Sequence, residues 1–189
     1  MSAPAFVYVV PARFEEIIKI GFSREPANRI RSFHPRYFEY FDLDQGFVIA
    51  ATDEKDARRI ERLLARQFTE HRSRAPLVIE QGPGGHTEWY RRAHALVLEA
   101  SRRLVIEGGY PPLTPVATLI RERLLREREH LFEHATALQD VIDGLGREDA
   151  RALNAAEAFR NALDAFAALG VPVHEHLPDD VRVVAWRPE

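Results

Sequence analysis

The run from His34 to Phe41 (His-Pro-Arg-Tyr-Phe-Glu-Tyr-Phe) interleaves basic and aromatic side chains. Such rings stack on nucleic-acid bases while an arginine like Arg36 meets phosphate. Packing as an aromatic cover over a small sheet is the commoner use of the same residues. His130, Glu133 and His134 spell His-x-x-Glu-His, the inverted form of a zinc-protease helix. That chemistry needs a third protein ligand and a substrate cleft, and so short a pattern arises readily by chance in a charged helix. Gly82-Pro83-Gly84-Gly85 lacks the Lys and following Ser/Thr of a phosphate-binding loop, and no Ser–His–Asp arrangement is visible. The absence of cysteine excludes a disulfide scaffold, thiolate zinc sites, iron–sulfur clusters and a cysteine nucleophile.

Charge points to a partner by its position rather than by its sum. The 189 residues carry a net charge of −3, but residues 1–110 hold 17 Lys/Arg against 15 Asp/Glu and residues 111–189 hold 9 against 14. All the basic residues but Lys19 and Lys55 are arginines, which suit phosphate because the planar guanidinium pairs bidentately. A GC-rich coding sequence yields the same bias. No uncharged apolar run approaches the ~18 residues of a membrane span. The first residues lack the basic and long apolar regions of a signal peptide. The expectation is a cytoplasmic protein without a membrane partner.

The elements that must position any chemistry follow from periodicity and punctuation. Phe6–Val10 and Ile17–Phe22 read as strands of a hairpin. Ser23 then reads as a helix N-cap with Pro26 in the first turn, the helix carrying Asn28, Arg29 and Arg31 and ending near His34-Pro35. Gly46–Thr52 is a third strand. Thr52 or Asp53 caps an amphipathic helix to about His71, with Ile60, Leu63, Leu64 and Phe68 on one arc. After a loop over 72–87, Thr87 is expected to cap a helix whose stripe is Trp89, Ala93, Leu96, Val97, Ala100 and Leu104. Gly108-Gly109-Tyr110-Pro111-Pro112 closes it and marks a boundary between residues 1–110 and 111–189. Beyond it, helices over roughly 115–143 and 147–169, joined at Gly144-Leu145-Gly146, suggest an αα-hairpin, and Val181–Trp186 a last strand. The expected fold is α/β: a small three-stranded antiparallel sheet flanked by helices, followed by an α-helical module.

In this frame Tyr8, Lys19, Arg29 and Glu61 each supply one polar group from a different element. Tyr8 on the first strand, Lys19-Ile20-Gly21 on the second, then Ser23, Pro26 and Arg29, then Ala57 and Glu61, then Glu88-Trp89-Tyr90 follow one another in an order that resembles the GIY-YIG nuclease superfamily. The closer similarity is to its phage and bacterial branch with Lys-Ile-Gly in the second motif, and it spans about residues 5–107. The resemblance implies a metal-dependent endonuclease that hydrolyses phosphodiester bonds in DNA, with Mg²⁺ or Mn²⁺ as cofactor. It implies Glu61 as metal ligand, Arg29 as the arginine facing developing phosphoryl charge, and Tyr8 with Lys19 near the attacking water. Ser23, Arg31, His34 and Arg36 are substrate-binding candidates, and Glu88 a possible addition to the site.

Ordinary structural roles compete at each position. Tyr8 also reads as a core aromatic, Lys19 as a solvent-facing edge residue and Arg29 as a solvated helix residue. Glu61 also reads as a surface partner of Arg58 or Arg62, and Glu88 as a first-turn carboxylate favoured by the helix dipole. Gly21 reads as structural, a close approach of chain to chain. The family pattern often has His or Tyr where this chain has Phe33, a His where it has Ala65, and a terminal asparagine with no equivalent here. Those departures keep open an alternative: a catalytically weak or inactive nuclease-fold protein that binds nucleic acid or a protein partner. The acidic 111–189 module has more apolar helical surface than a hairpin can bury, and is expected to dock on the first module or to form a homodimer.

Overall fold

The computed structural model describes residues 4–79, 87–146 and 148–173. Strands β1 (Ala5–Pro11) and β2 (Ile17–Ser23) form the expected hairpin, in a register that sets Tyr8 against Gly21, Val9 against Ile20 and Val10 against Lys19. Strand β3 (Phe47–Ala51) pairs with the other side of β1. These strands are covered on both faces, which is why they read as near-continuous β-branched and aromatic runs rather than as alternating ones.

The sheet is larger than three strands. β4 (Arg72–Ser73), β5 (Trp89–Arg91) and β6 (Thr114–Pro115) extend it to the order β4-β5-β2-β1-β3-β6, antiparallel at every pairing. β5 corrects the expectation of a helix capped by Thr87. Trp89 and Tyr90 are adjacent and both fully buried, which the two opposite faces of a strand allow and a half-covered helix does not. The helix begins only at His94, after Arg92 at φ 52° reverses the chain, and Leu96 of the expected stripe is half exposed.

Helix α1 (Pro26–Arg31) starts at its proline, with Glu25 rather than Ser23 as the cap residue. Ser23 closes β2 instead, its hydroxyl accepting the Glu25 N–H at 3.0 Å. A short helix α2 (Tyr37–Tyr40) follows, then α3 (Glu54–Gln67), capped as expected by Asp53, which accepts the Asp56 N–H at 2.8 Å. α4 (His94–Gly108) ends on Gly109 at φ 65°, the left-handed position that glycine takes without a Cβ penalty.

One face of the sheet carries the main core. Val7, Val9, Ile18, Ile20 and Ile49 pack against Ala57, Ile60 and Leu64 of α3 and Val97 and Val105 of α4. Each fully buried aliphatic chain contributes roughly 1.5–3 kcal/mol. The alternate residues of β1 and β2, Tyr8 and Lys19 among them, project to the opposite face, where Phe33 lies 6.3 Å from the Tyr8 ring and 6.3 Å from Trp89.

The chain divides into two compact units, Met1–Ile120 and Arg121–Glu189. Residues just past the Gly108–Pro112 punctuation stay with the first unit: Thr114 pairs with Val48, and the Val116 N–H reaches the Gly46 carbonyl at 2.9 Å. The helix expected over 115–143 is two, α5 (Val116–Glu127) and α6 (Leu131–Leu145), separated by a 3₁₀ turn at Arg128–His130. α7 (Ala150–Ala168) pairs with α6 after Gly146 at φ 84° and the Asp149 cap. The glycine loop at 82–85 and the expected strand at 181–186 lie outside the described residues. Among the described residues, no helix is long and apolar enough to cross a membrane.

Candidate active site

The hairpin register explains the Lys-Ile-Gly motif. Tyr8 and Gly21 are cross-strand partners, and a Cβ on Gly21 would stand 2.3 Å from the Tyr8 hydroxyl oxygen and 2.5 Å from ring carbon Cζ. Glycine is therefore the residue that lets the phenol lie flat across β2. Tyr8 is buried, and burial pushes its hydroxyl up to about 12 even though Arg29 hydrogen-bonds it. α1 delivers that arginine, with its guanidinium carbon 4.8 Å from the Phe33 ring centre.

Lys19 is not a solvent-facing edge residue: only 1 % of its surface is exposed. β5 walls it in, since Trp89 is its register partner and its Nζ lies 5.9 Å from the Trp89 ring centre. The ammonium donates to the Thr87 carbonyl and pairs with the Glu88 carboxylate at 3.4 Å. Burial lowers the Lys19 pKa, and Glu88, the larger of the opposing charges, pulls it back.

Glu88 sits in a bend before β5, not in the first turn of a helix, which corrects that reading. Its backbone is left-handed at φ 60°, a conformation costing a non-glycine residue of order 1–3 kcal/mol. Three bonds hold it there: its carbonyl accepts the Ile20 N–H at 3.0 Å, and its carboxylate takes the Thr87 hydroxyl at 2.9 Å as well as Lys19.

β5 pairs with β2 only over Ile17–Lys19. Among the described residues no strand pairs with the outer edge of β2 past Ile20, the edge along which the Phe22 N–H, two residues on, points. Glu61 comes to that edge from α3, which packs on the other face, near enough for the Phe22 backbone to favour its charged form. Its carboxyl is held up at about 7, chiefly by burial and then by the neighbouring Glu88 charge, with Lys19 and Arg58 opposing. Tyr8 and Lys19 thus each feel the charges of Arg29, Glu61 and Glu88, although α1 and α3 flank opposite faces.

The other candidates are engaged locally. Arg36 is ion-paired with Glu39, and its backbone N–H donates to His34 Nδ1 at 3.0 Å, while His34 stacks on Tyr40. Arg31 lies over Tyr37, and Ser23 makes its turn with Glu25. None of these contacts ties them to the carboxylate cluster. The aromatic residues of the 34–41 run pack as a cover: Tyr37, Phe38 and Phe41 are all buried. Sequence reasoning missed the bearing of the Phe22 backbone on Glu61, which no side-chain pattern announces. It also missed the Arg58 guanidinium lying 4.4 Å over the Phe22 ring, although Arg58 stands one helical turn before Glu61.

Among the described residues no group of three or more His, Asp or Glu gathers to hold a metal by itself, the His130–Glu133–His134 pattern included. A site of one or two carboxylates is nevertheless what Mg²⁺ uses, keeping waters and substrate phosphate as its remaining ligands. Glu61, with Glu88 beside it, fits that donor set: a half-buried carboxylate facing a second negative charge is relieved by a cation.

No curated protein and no solved structure matches the chain. The profile of the T5orf172 domain matches residues 5–105, a stretch that holds all five clustered residues and more than half of the sequence. The chain belongs to the T5orf172 domain family.

Proposed function

We propose that the chain is a divalent-metal-dependent endonuclease that hydrolyses phosphodiester bonds in DNA. The family is one of nuclease-like or DNA-binding type, and one observation carries the finer reading: the half-buried Glu61 carboxylate, raised to about 7, within the fields of Tyr8 and Lys19, which Arg29 also reaches. Glu61 would hold Mg²⁺ or Mn²⁺, and a bound divalent ion supplies Lewis-acid stabilisation of negative charge on phosphate oxygens.

The chain's own groups divide the remaining work by their protonation. Tyr8, with its hydroxyl near 12, stays a phenol at neutral pH and orients the attacking water by hydrogen bonding. Lys19, paired with Glu88 and pushed by burial toward easier deprotonation, is the chain's group for handling the proton of that water as its oxygen bonds to phosphorus and the bond to the leaving oxygen breaks. Arg29 faces the charge that develops on the non-bridging oxygens. Glu88 holds Lys19 in place, and the buried Trp89 and Phe33 rings packed beside Lys19 and Tyr8 lower the local dielectric, which strengthens each of these interactions.

Plasmid cleavage tests this directly. Nicking should need Mg²⁺ or Mn²⁺, stop in chelator, and fall ~10³-fold or more in a folded Glu61→Ala protein, the value of several kcal/mol of transition-state stabilisation. Cleavage that survives in that variant overturns the metal role. The second reading, DNA binding without turnover, is favoured by Phe33, whose ring packs among Tyr8, Phe41 and Trp89 and offers no polar group to the site. Tight binding with no cleavage under any divalent ion would select it.

A further inference from the structure

Helix α3 presents Glu61 to the site and a line of cations to solvent. Lys55, Arg59, Arg62 and Arg66 are spaced by four, three and four residues, which puts them on one stripe of a 3.6-residue helix. The stripe lies opposite the buried Ala57, Ile60 and Leu64, and all four residues are exposed. The helix's acidic residues are spent elsewhere. Glu54 is paired with Arg24 and Arg58, and Asp56 with Arg59, which also donates to the Tyr110 hydroxyl at 2.6 Å. Among the described residues no carboxylate pairs with Lys55, Arg62 or Arg66; the one bond made by their charged groups runs from Arg62 to the Arg58 carbonyl. A cleft of about 620 Å³ opens beside the amino-terminal end of the stripe, lined by Lys55, Arg59 and Arg62 together with Thr52, Gly109 and Tyr110.

We propose that this outer face of α3 is the phosphate track of the substrate: Lys55, Arg62 and Arg66 bind backbone phosphates of a DNA strand whose scissile phosphate lies at Glu61. The assignment rests on the nuclease reading above and names the surface that serves it. Arg58 and Arg62, three residues before and one after Glu61, make the step from the site to the stripe. From Lys55 to Arg66 the helix rises about 16 Å at 1.5 Å per residue, a span of about five steps of duplex at 3.4 Å each. Nucleic acid fits this face better than an acidic protein. The stripe residues themselves are long cationic chains, with Leu63 and Tyr110 at their border rather than a buried apolar cluster among them, and protein interfaces draw most of their energy from such clusters. The candidates expected from sequence, His34 and Arg36, are by contrast committed to Tyr40 and Glu39.

The test is the salt dependence of DNA affinity, read by fluorescence anisotropy on the full chain with a labelled duplex in chelator, so that binding is separated from cleavage. Each lost phosphate contact lowers the slope of log K against log salt by about 0.9. The triple variant Lys55→Gln, Arg62→Gln, Arg66→Gln should therefore lose about 2.7 from the slope and about 10²-fold or more in affinity at 0.1 M salt. Arg59 is left in place because Asp56 and Tyr110 depend on it. The charge-matched control Arg13→Gln, Arg102→Gln, Arg126→Gln, drawn from exposed positions off the stripe, should bind as wild type does. In Mg²⁺ the stripe variant should raise KM with kcat nearly unchanged, and its circular dichroism melt should match wild type. A wild-type protein that binds DNA, with a stripe variant of unchanged slope and affinity, overturns the track while leaving the nuclease reading in place. A wild-type protein that binds no DNA overturns both.

Discussion

Above about pH 7 Glu61 is an ion against its surroundings, and replacing it with glutamine should make the protein more stable at alkaline pH. Burial and the Glu88 charge raise its carboxyl from the usual 4.5 to about 7. The folded state therefore binds a proton more tightly than the unfolded chain. Stability from this group is fully present below about 4.5 and is lost as pH rises through about 7. At about 1.4 kcal/mol per pH unit the ceiling is about 3 kcal/mol; solvent screening of a half-buried group lowers the expectation to about 1–2 kcal/mol. Glu61→Gln keeps the size and polarity of the side chain and removes the titration. Urea unfolding of both proteins at pH 5 and pH 8 reads the effect as a difference of differences, so any pH-independent change in packing cancels. Wild type should gain about 1–2 kcal/mol on going from pH 8 to pH 5 relative to the variant. Stabilities that run parallel between the two pH values would refute the reasoning, and with it the picture of an ion stored for a cation to relieve.

Magnesium should act on the same group: at pH 8 it should raise the wild-type melting temperature, by the equivalent of about 2.7 kcal/mol at a hundredfold excess over Kd, and leave Glu61→Gln unmoved. Gly21→Ala should cost about 1–3 kcal/mol in urea unfolding, since its Cβ meets the Tyr8 ring. Tyr8→Phe in the same chain should not rescue it, because ring carbon Cζ stands 2.5 Å from that Cβ as well. Trp89→Ala should cost roughly 3–5 kcal/mol by opening the wall beside Lys19; a loss under 1 kcal/mol would mean that β5 is not packed there. Homodimerisation through the helical module should appear as a dimer in sedimentation velocity that Phe132→Lys, at an exposed apolar position, returns to monomer; a wild-type monomer at every concentration removes that expectation.

Local patterns were enough for the β1–β2 hairpin, β3, the Asp53-capped α3 and the glycine-closed α4, because each depends on near-neighbour periodicity and on residues whose backbone preferences are strong. The order Tyr8, Lys19-Ile20-Gly21, Arg29, Glu61 was likewise legible as a chain of motifs. What a residue faces was not. Whether Lys19 met water or a tryptophan depended on β5, and β5 formed because β2 had an open edge over Ile17–Lys19 that Trp89–Arg91 could complete. In isolation the same three residues continue a helical stripe. The end of that edge left unpaired among the described residues, the arrival of Glu61 there, and the reach of both Arg29 and Glu61 to Tyr8 and Lys19 are products of strand order. The same holds for pKa: sequence names the ionisable groups, while burial and the distance between charges set their values, and both are properties of the packed chain. Sequence by itself determined which groups were present and on which elements; the tertiary structure decided that Arg29, Glu61 and Glu88 act on the same buried residues, Tyr8 and Lys19, because only packing brings groups distant along the chain within reach of each other's fields.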